Sequence, residues 1–238
     1  MSGIATFMKD GAAYLLTDTA ATENGVVSAF VEKSMPLLRL KATIGFRGAN
    51  LQICEYVAGS LVHGAILNDA VRFNQIRERL PILAKDTAIR AKLISPDAAH
   101  DASRFELYIA GISDAGQPRT FRICSYSIAG EAAAFEPFDL PDAFVTLSET
   151  DECVADFRQH YVEGICAADL DPVADGIRLF EIARRHKMVP LDGLSAQAYY
   201  GIGGEIIMTK ITANEISVRT IHRWADQIGQ PIRVAHDS

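Results

Sequence analysis

Residues 4–17 can fold in very few ways. Ile4 to Met8 and Ala12 to Thr17 are apolar runs, and Lys9-Asp10-Gly11 stands between them. Asp-Gly between two such runs is among the strongest short-range signals for a β-hairpin, because both turn residues must take positive φ. The second run ends in Thr17-Asp18-Thr19. A polar segment containing Lys33 follows, and then a third run, Ala42-Thr43-Ile44-Gly45-Phe46. The sequence therefore predicts an early sheet with a serine at its start, an aspartate closing its second strand and a lysine soon after.

The serine is Ser2, directly behind Met1. Serine is small enough for the initiator methionine to be removed, which leaves a hydroxyl and a free α-amine on one residue. The amine's ordinary pKa of about 7.7–8.0 suits a general base at neutral pH. One residue can then supply nucleophile and base together. A buried lysine beside the hydroxyl favours the alkoxide and lowers the amine's pKa, and a carboxylate paired with that lysine keeps it charged and oriented. Asp18 and Lys33 are the candidates for that pair. Gly45 is the candidate for a backbone oxyanion donor, since glycine lets a carbonyl approach closely. Taken singly, Asp18 reads as a turn former, Lys33 as a solvated side chain and Gly45 as a bulge.

The order of Ser2, the Lys-Asp-Gly hairpin, Thr17-Asp18-Thr19-Ala20-Ala21-Thr22, Lys33 and Ile44-Gly45-Phe46-Arg47-Gly48 resembles the proteasome β-subunit family. The likeness is nearest to HslV-type peptidase subunits and short bacterial proteasome-like homologues. The resemblance implies an N-terminal-nucleophile hydrolase: Ser2 as nucleophile, Asp18 and Lys33 as the charged pair, Gly45 as the oxyanion glycine. It implies an α+β fold, a four-layer α/β/β/α sandwich of two antiparallel sheets. It also implies a peptide or amide substrate, a homo-oligomeric ring, and a possible ATP-dependent unfoldase as partner. The sequence departs from the family in three places. Serine replaces the usual threonine. Tyr199-Tyr200-Gly201-Ile202-Gly203-Gly204 stands where many members carry Asp-x-x-Ser-Gly-Gly. The one candidate for a supporting serine is Ser148. These departures suit the alternative reading, a catalytically inactive proteasome-like scaffold or assembly subunit. So would a retained Met1, because the Ser2 amine would then be part of a peptide bond.

Beyond Gly48 the apolar spacing turns helical. Leu51, Cys54, Val57, Ala58 and Leu61 fall on one face, with Asn50 as a candidate N-cap. A second helix is predicted from about Asn68-Asp69, with core residues Val71, Phe73, Ile76 and Leu80, a kink or break at Pro81, and a resumed face at Ile82, Leu83, Ile89 and Leu93. Its arginines read as a solvated face. Residues 95–103 read as a polar connector. Phe105 to Ser113 and Arg119 to Ser127 form a second hairpin around Asp114-Ala115-Gly116, residues 130–142 a loop or irregular edge strand, and Phe144 to Leu147 a short strand. A third helix starts at Thr150, with core face Val154, Phe157, Tyr161 and Val162, and a fourth at Asp171-Pro172. Arg184 to Lys187 fill the last turn of the fourth helix. Strands at Glu205–Ile211 and Ile216–His222 close the chain, and the tail from about Asp226 reads as a surface arm. His222 and Trp224 read as structural.

The 238 residues are read as a single domain, with 49% hydrophobic and 22% charged residues and a net charge of −7. That charge argues against nucleic-acid and anionic-membrane partners. Cys54, Cys124, Cys153 and Cys166 form no CxxC pair and no metal-ligand spacing, so no metal or cofactor is predicted. With no signal-like N-terminus and no apolar run near ~20 residues, the expectation is a cytoplasmic protein.

Overall fold

The computed structural model describes residues 3–23, 25–48, 51–67, 72–94, 104–128, 130, 132–146, 148, 150–161, 166–188 and 198–234. Within them the chain is α+β, with four α-helices and antiparallel strands in three sheets. The predicted first hairpin is formed by β1 (Ile4–Lys9) and β2 (Ala12–Asp18). Asp10 and Gly11 hold φ of 51° and 71°, as a two-residue turn of this hand requires. The register pairs Ile4 with Thr17 and Lys9 with Ala12.

The polar segment is more ordered than its composition suggests. It forms a two-stranded ribbon, β3 (Ala20–Glu23) and β4 (Val26–Phe30), then β5 (Ser34–Leu37) and a short 3-10 turn before β6 (Ala42–Gly48). Asn24-Gly25 in the sequence is the hairpin signal that marks this ribbon. After α1 (Leu51–Leu67) and α2 (Phe73–Ile94) come β7 (Phe105–Ile112), β8 (Pro118–Cys124), β9 (Phe138–Asp139) and β10 (Ala143–Val145). α3 (Asp151–His160), α4 (Ala174–Arg185), β11 (Glu205–Ile211) and β12 (Ile216–Arg223) follow. The strands order as β10-β1-β2-β11-β12 in one five-stranded sheet and β5-β6-β7-β8-β9 in the other.

Strand alternation in the two five-stranded sheets sends side chains to three apolar clusters. Ile44, Phe46, Leu107, Ile109, Phe121 and Ile123 pack with Cys54, Val57, Ala58 and Leu61 of α1 and with Phe73, Ile76 and Leu80 of α2. Ala5, Phe7, Leu16 and Met208 pack with Cys153 of α3 and with Leu179, Phe180 and Ile182 of α4. Ile4, Ala13, Leu15 and Ile211 of the first sheet pack with Tyr108, Ala110 and Ile112 of the second. β2 is consequently buried along its whole length. Leu15 and Leu16 point to opposite faces, and each fits against a glycine. A Cβ on Gly45 would lie 2.8 Å from Leu15 Cδ2, and one on Gly176 would lie 2.4 Å from Leu16 Cδ2.

Helix boundaries follow local chemistry with two corrections. Thr150 caps α3 by accepting the Cys153 N–H at 3.3 Å, and Asp171 Oδ1 accepts the N–H groups of Val173 and Ala174 at 2.9 and 2.7 Å ahead of α4. On α3 Cys153 is buried and Val154 and Phe157 are half-buried, and Tyr161, at the C-cap, is buried. Pro81 does not break α2, which runs from Phe73 to Ile94 with the proline inside it. Ile82 and Ile89, expected in the core, are 64% and 49% exposed. The face set by Phe73, Ile76 and Leu80 continues in helical phase to Ala84, Thr87 and Ala88, which are buried instead. The predictions at Asn50, Asn68-Asp69, Val71, residues 95–103, Leu147 and Val162 lie outside the described residues.

The C-terminal arm from Asp226 is pinned to the ribbon. Val27 donates its N–H to Gln230 O at 3.0 Å, and Ile232 is buried beside Ala20 and Val27. Among the described residues no helix is long and apolar enough to cross a membrane.

Candidate functional site

Asp18 closes β2 with its side chain fully buried. Among the described residues its carboxylate has three donors: the Gly3 N–H at 2.8 Å and Lys33 Nζ at 2.8 Å, both on Oδ1, and the Gly203 N–H at 3.1 Å on Oδ2. Gly3 stands opposite Asp18 where the β1–β2 ladder would continue. Its carbonyl accepts the Asp18 N–H at 3.4 Å, while its own N–H is turned onto the carboxylate. A Cβ on Gly3 would lie 2.9 Å from Phe180 of α4, so a side chain there would push the chain off the carboxylate.

Lys33 arrives from the linker between β4 and β5. The linker is fixed by Val31 N–H to Thr19 O at 2.8 Å and by Phe46 N–H to Lys33 O at 2.9 Å. Its ammonium also donates to Ala20 O at 2.6 Å. The Lys33 and Asp18 side chains are 5% and 0% exposed. Burial lowers the Lys33 pKa below the ordinary lysine value, although the charge of Asp18 and its hydrogen bond push the other way. The structure thus brings Asp18, Lys33 and the N–H of the residue after Ser2 to one carboxylate oxygen. Ser2 itself lies outside the described residues.

Gly45 lies in β6, opposite Ser34 on β5 and Tyr108 on β7. Because the Phe46 N–H points to β5, ladder alternation turns the Gly45 N–H the other way, toward Tyr108. Its N–H is committed to the sheet, and what demands glycine there is the contact with Leu15. Ser148 is buried and donates to Lys187 O at 2.9 Å. His222 and Trp224 both meet Glu181 Oε1, at 3.3 and 2.7 Å, and His186 meets Asp156 at 2.9 Å.

A cleft of about 450 Å³ is lined in part by Thr19, Phe30, Val31, Glu32, Gly204 and Trp224. Thr19 follows Asp18 and Glu32 precedes Lys33 in the chain, but neither Asp18 nor Lys33 lines the cleft. No group of three or more His, Cys, Asp or Glu side chains among the described residues could hold a metal ion.

Two further buried polar clusters carry no motif. Arg47 pairs with Glu106 at 3.1 Å across β6–β7, and Glu106 also accepts the hydroxyls of Tyr108, at 2.7 Å, and Tyr126. Arg184 of α4 pairs with Asp226 of the C-terminal arm. In sequence Arg184 looks like any other member of a basic helix end, and only its burial distinguishes it. No family model matches the chain, and no curated protein sequence matches it.

Proposed function

We propose that the protein is an N-terminal-nucleophile hydrolase of proteasome-like type, acting on a peptide or amide bond with Ser2 as nucleophile. The observation that carries this reading is the convergence of the Gly3 N–H and Lys33 Nζ on Asp18 Oδ1, each at 2.8 Å. That convergence draws the residue after Ser2 to a buried ammonium–carboxylate couple. The three apolar clusters support the finer architecture, a four-layer α/β/β/α sandwich with α1 and α2 on one outer face and α3 and α4 on the other.

In this mechanism Met1 is removed and the Ser2 Oγ attacks the substrate carbonyl carbon. The hydroxyl proton passes to the Ser2 α-amine. The tetrahedral adduct expels the leaving amine, which takes that proton, and an ester to Ser2 remains. Water then attacks the ester and frees the acid and the hydroxyl. The Lys33 ammonium stabilises the alkoxide during attack and holds the α-amine's pKa down, and Asp18 orients it. The homo-oligomeric ring and the ATP-dependent unfoldase implied by the resemblance, and the cytoplasmic location, belong to the same proposal.

Intact-mass measurement tests it. The expected result is a mass lacking Met1 and a single covalent adduct on Ser2 with a hydroxyl-reactive electrophile, both adduct and turnover being lost in Ser2→Ala. A retained Met1 with no adduct supports the second reading, an inactive scaffold or assembly subunit. The commitment of the Gly45 N–H to β7 favours that reading, because it takes the predicted oxyanion donor away from a substrate.

A further inference from the structure

The loop that touches Asp18 is gripped from its other side. Arg184, in the last turn of α4, donates through both arms of its guanidinium to Asp226, Nη1 to Oδ2 at 2.8 Å and Nη2 to Oδ1 at 2.7 Å. The same groups reach Ile202 O at 2.7 Å and Arg233 O at 2.9 Å, and the guanidinium carbon lies 4.7 Å from the Trp224 ring. The paired side chains are 5% and 3% exposed. Asp226 Oδ2 accepts the Gly204 N–H at 2.8 Å. One residue earlier, the Gly203 N–H points the other way onto Asp18 Oδ2, and Gly203 O accepts the N–H groups of Thr19 and Ala20 at 3.2 and 3.0 Å. A Cβ on Gly203 would lie 2.5 Å from Asp226 Oδ2 and 2.8 Å from Arg184 Nη1, and one on Gly204 would lie 2.4 Å from Thr19 Oγ1, so positions 203 and 204 fit the gap only as glycine.

We propose that Arg184 and Asp226 are positioning residues for the Asp18–Lys33 couple, acting through the backbone of Gly203 and Gly204. A bidentate, buried arginine–carboxylate pair has a narrow range of geometries, and this one hands that rigidity to a peptide unit that supplies one of the three donors on Asp18. Loosening the pair lets residues 202–204 relax, weakens that donor and changes the field that Asp18 exerts on Lys33. The effect on catalysis rests on the hydrolase reading. The effect on the couple does not.

The test uses Asp226→Asn, which keeps shape and removes charge, and Arg184→Lys, which keeps charge and removes the fork. Leu61→Ala, in the α1 cluster, serves as a destabilised control remote from the couple. Lysine side-chain NMR follows the Lys33 titration, assigned with Lys33→Met, and Ser2 adduct formation is timed alongside. Both pair variants are expected to displace the Lys33 midpoint and to slow adduct formation about tenfold or more. Leu61→Ala is expected to lower the melting temperature and do neither. An unchanged Lys33 midpoint in both pair variants, with only the melting temperature reduced, overturns the proposal. Should Asp226→Asn fail to fold, Arg184→Lys decides alone. A displaced midpoint in a protein whose wild type forms no adduct supports the positioning role and rejects the hydrolase reading.

Discussion

Asp18 and Lys33 illustrate what burial does to a single charge. Each is costly alone, and each is tolerable because the other faces it and backbone groups add to its shell, the Gly3 and Gly203 N–H groups on Asp18 and the Ala20 carbonyl on Lys33. Asp18→Asn leaves the ammonium buried without a counter-charge, and urea unfolding should report a loss of about 3–5 kcal/mol. Lys33 titrates below the ordinary value of about 10.4. Between its folded pKa and that value the unfolded chain binds more protons, so this group's contribution to stability rises with pH. Lys33→Met should remove that rise from the alkaline limb of a stability–pH curve. Gly45 is a packing residue on present geometry. Gly45→Ala should cost about 1–3 kcal/mol through overpacking against Leu15, and a double-mutant cycle with Leu15→Val should show coupling between the two sites.

Elements were legible wherever a local rule had no tertiary competitor. The Asp10-Gly11 hairpin, the start of α3 at Thr150 and the strands from residue 205 onward follow from turn chemistry, the helix dipole and alternation. The β3–β4 ribbon was hidden by its polar composition, although Asn24-Gly25 announced it. α2 shows the opposite error. The helix runs on through Pro81, and helical phase, not side-chain size, decides which of its residues are buried. Pro81 still lacks an N–H and crowds the preceding turn, so Pro81→Ala should raise the melting temperature measured by circular dichroism. Thr150→Ala should cost about 1 kcal/mol in α3 stability, read from chemical denaturation.

At the scale of the whole molecule, the buried Arg47–Glu106 and Arg184–Asp226 pairs tie together segments far apart in sequence. Glu106 answers to burial, which alone would raise its pKa, and then to Arg47, Tyr126 and Tyr108, which together hold it below the usual carboxylate range. Its contribution is present above the unfolded value of about 4.3 and lost as pH falls through the lower folded value. The stability difference between wild type and Glu106→Gln should therefore shrink below about pH 4.3. Thiol labelling of the native protein should modify exposed Cys166 first and spare Cys54, whose thiol burial pushes up to about 12.

The amino-acid sequence by itself determined where most strands and helices lie, that the strands alternate, and which residues were worth suspecting. Those properties depend on neighbours a few positions away, and periodicity records them. Only the tertiary structure decided that Lys33, Gly3 and Gly203 all donate to the Asp18 carboxylate, that the Gly45 N–H belongs to β7, and that Arg184 is buried against Asp226. Each of those outcomes depends on which polar groups lose water together, and desolvation is a property of the packed chain, invisible in any window of residues.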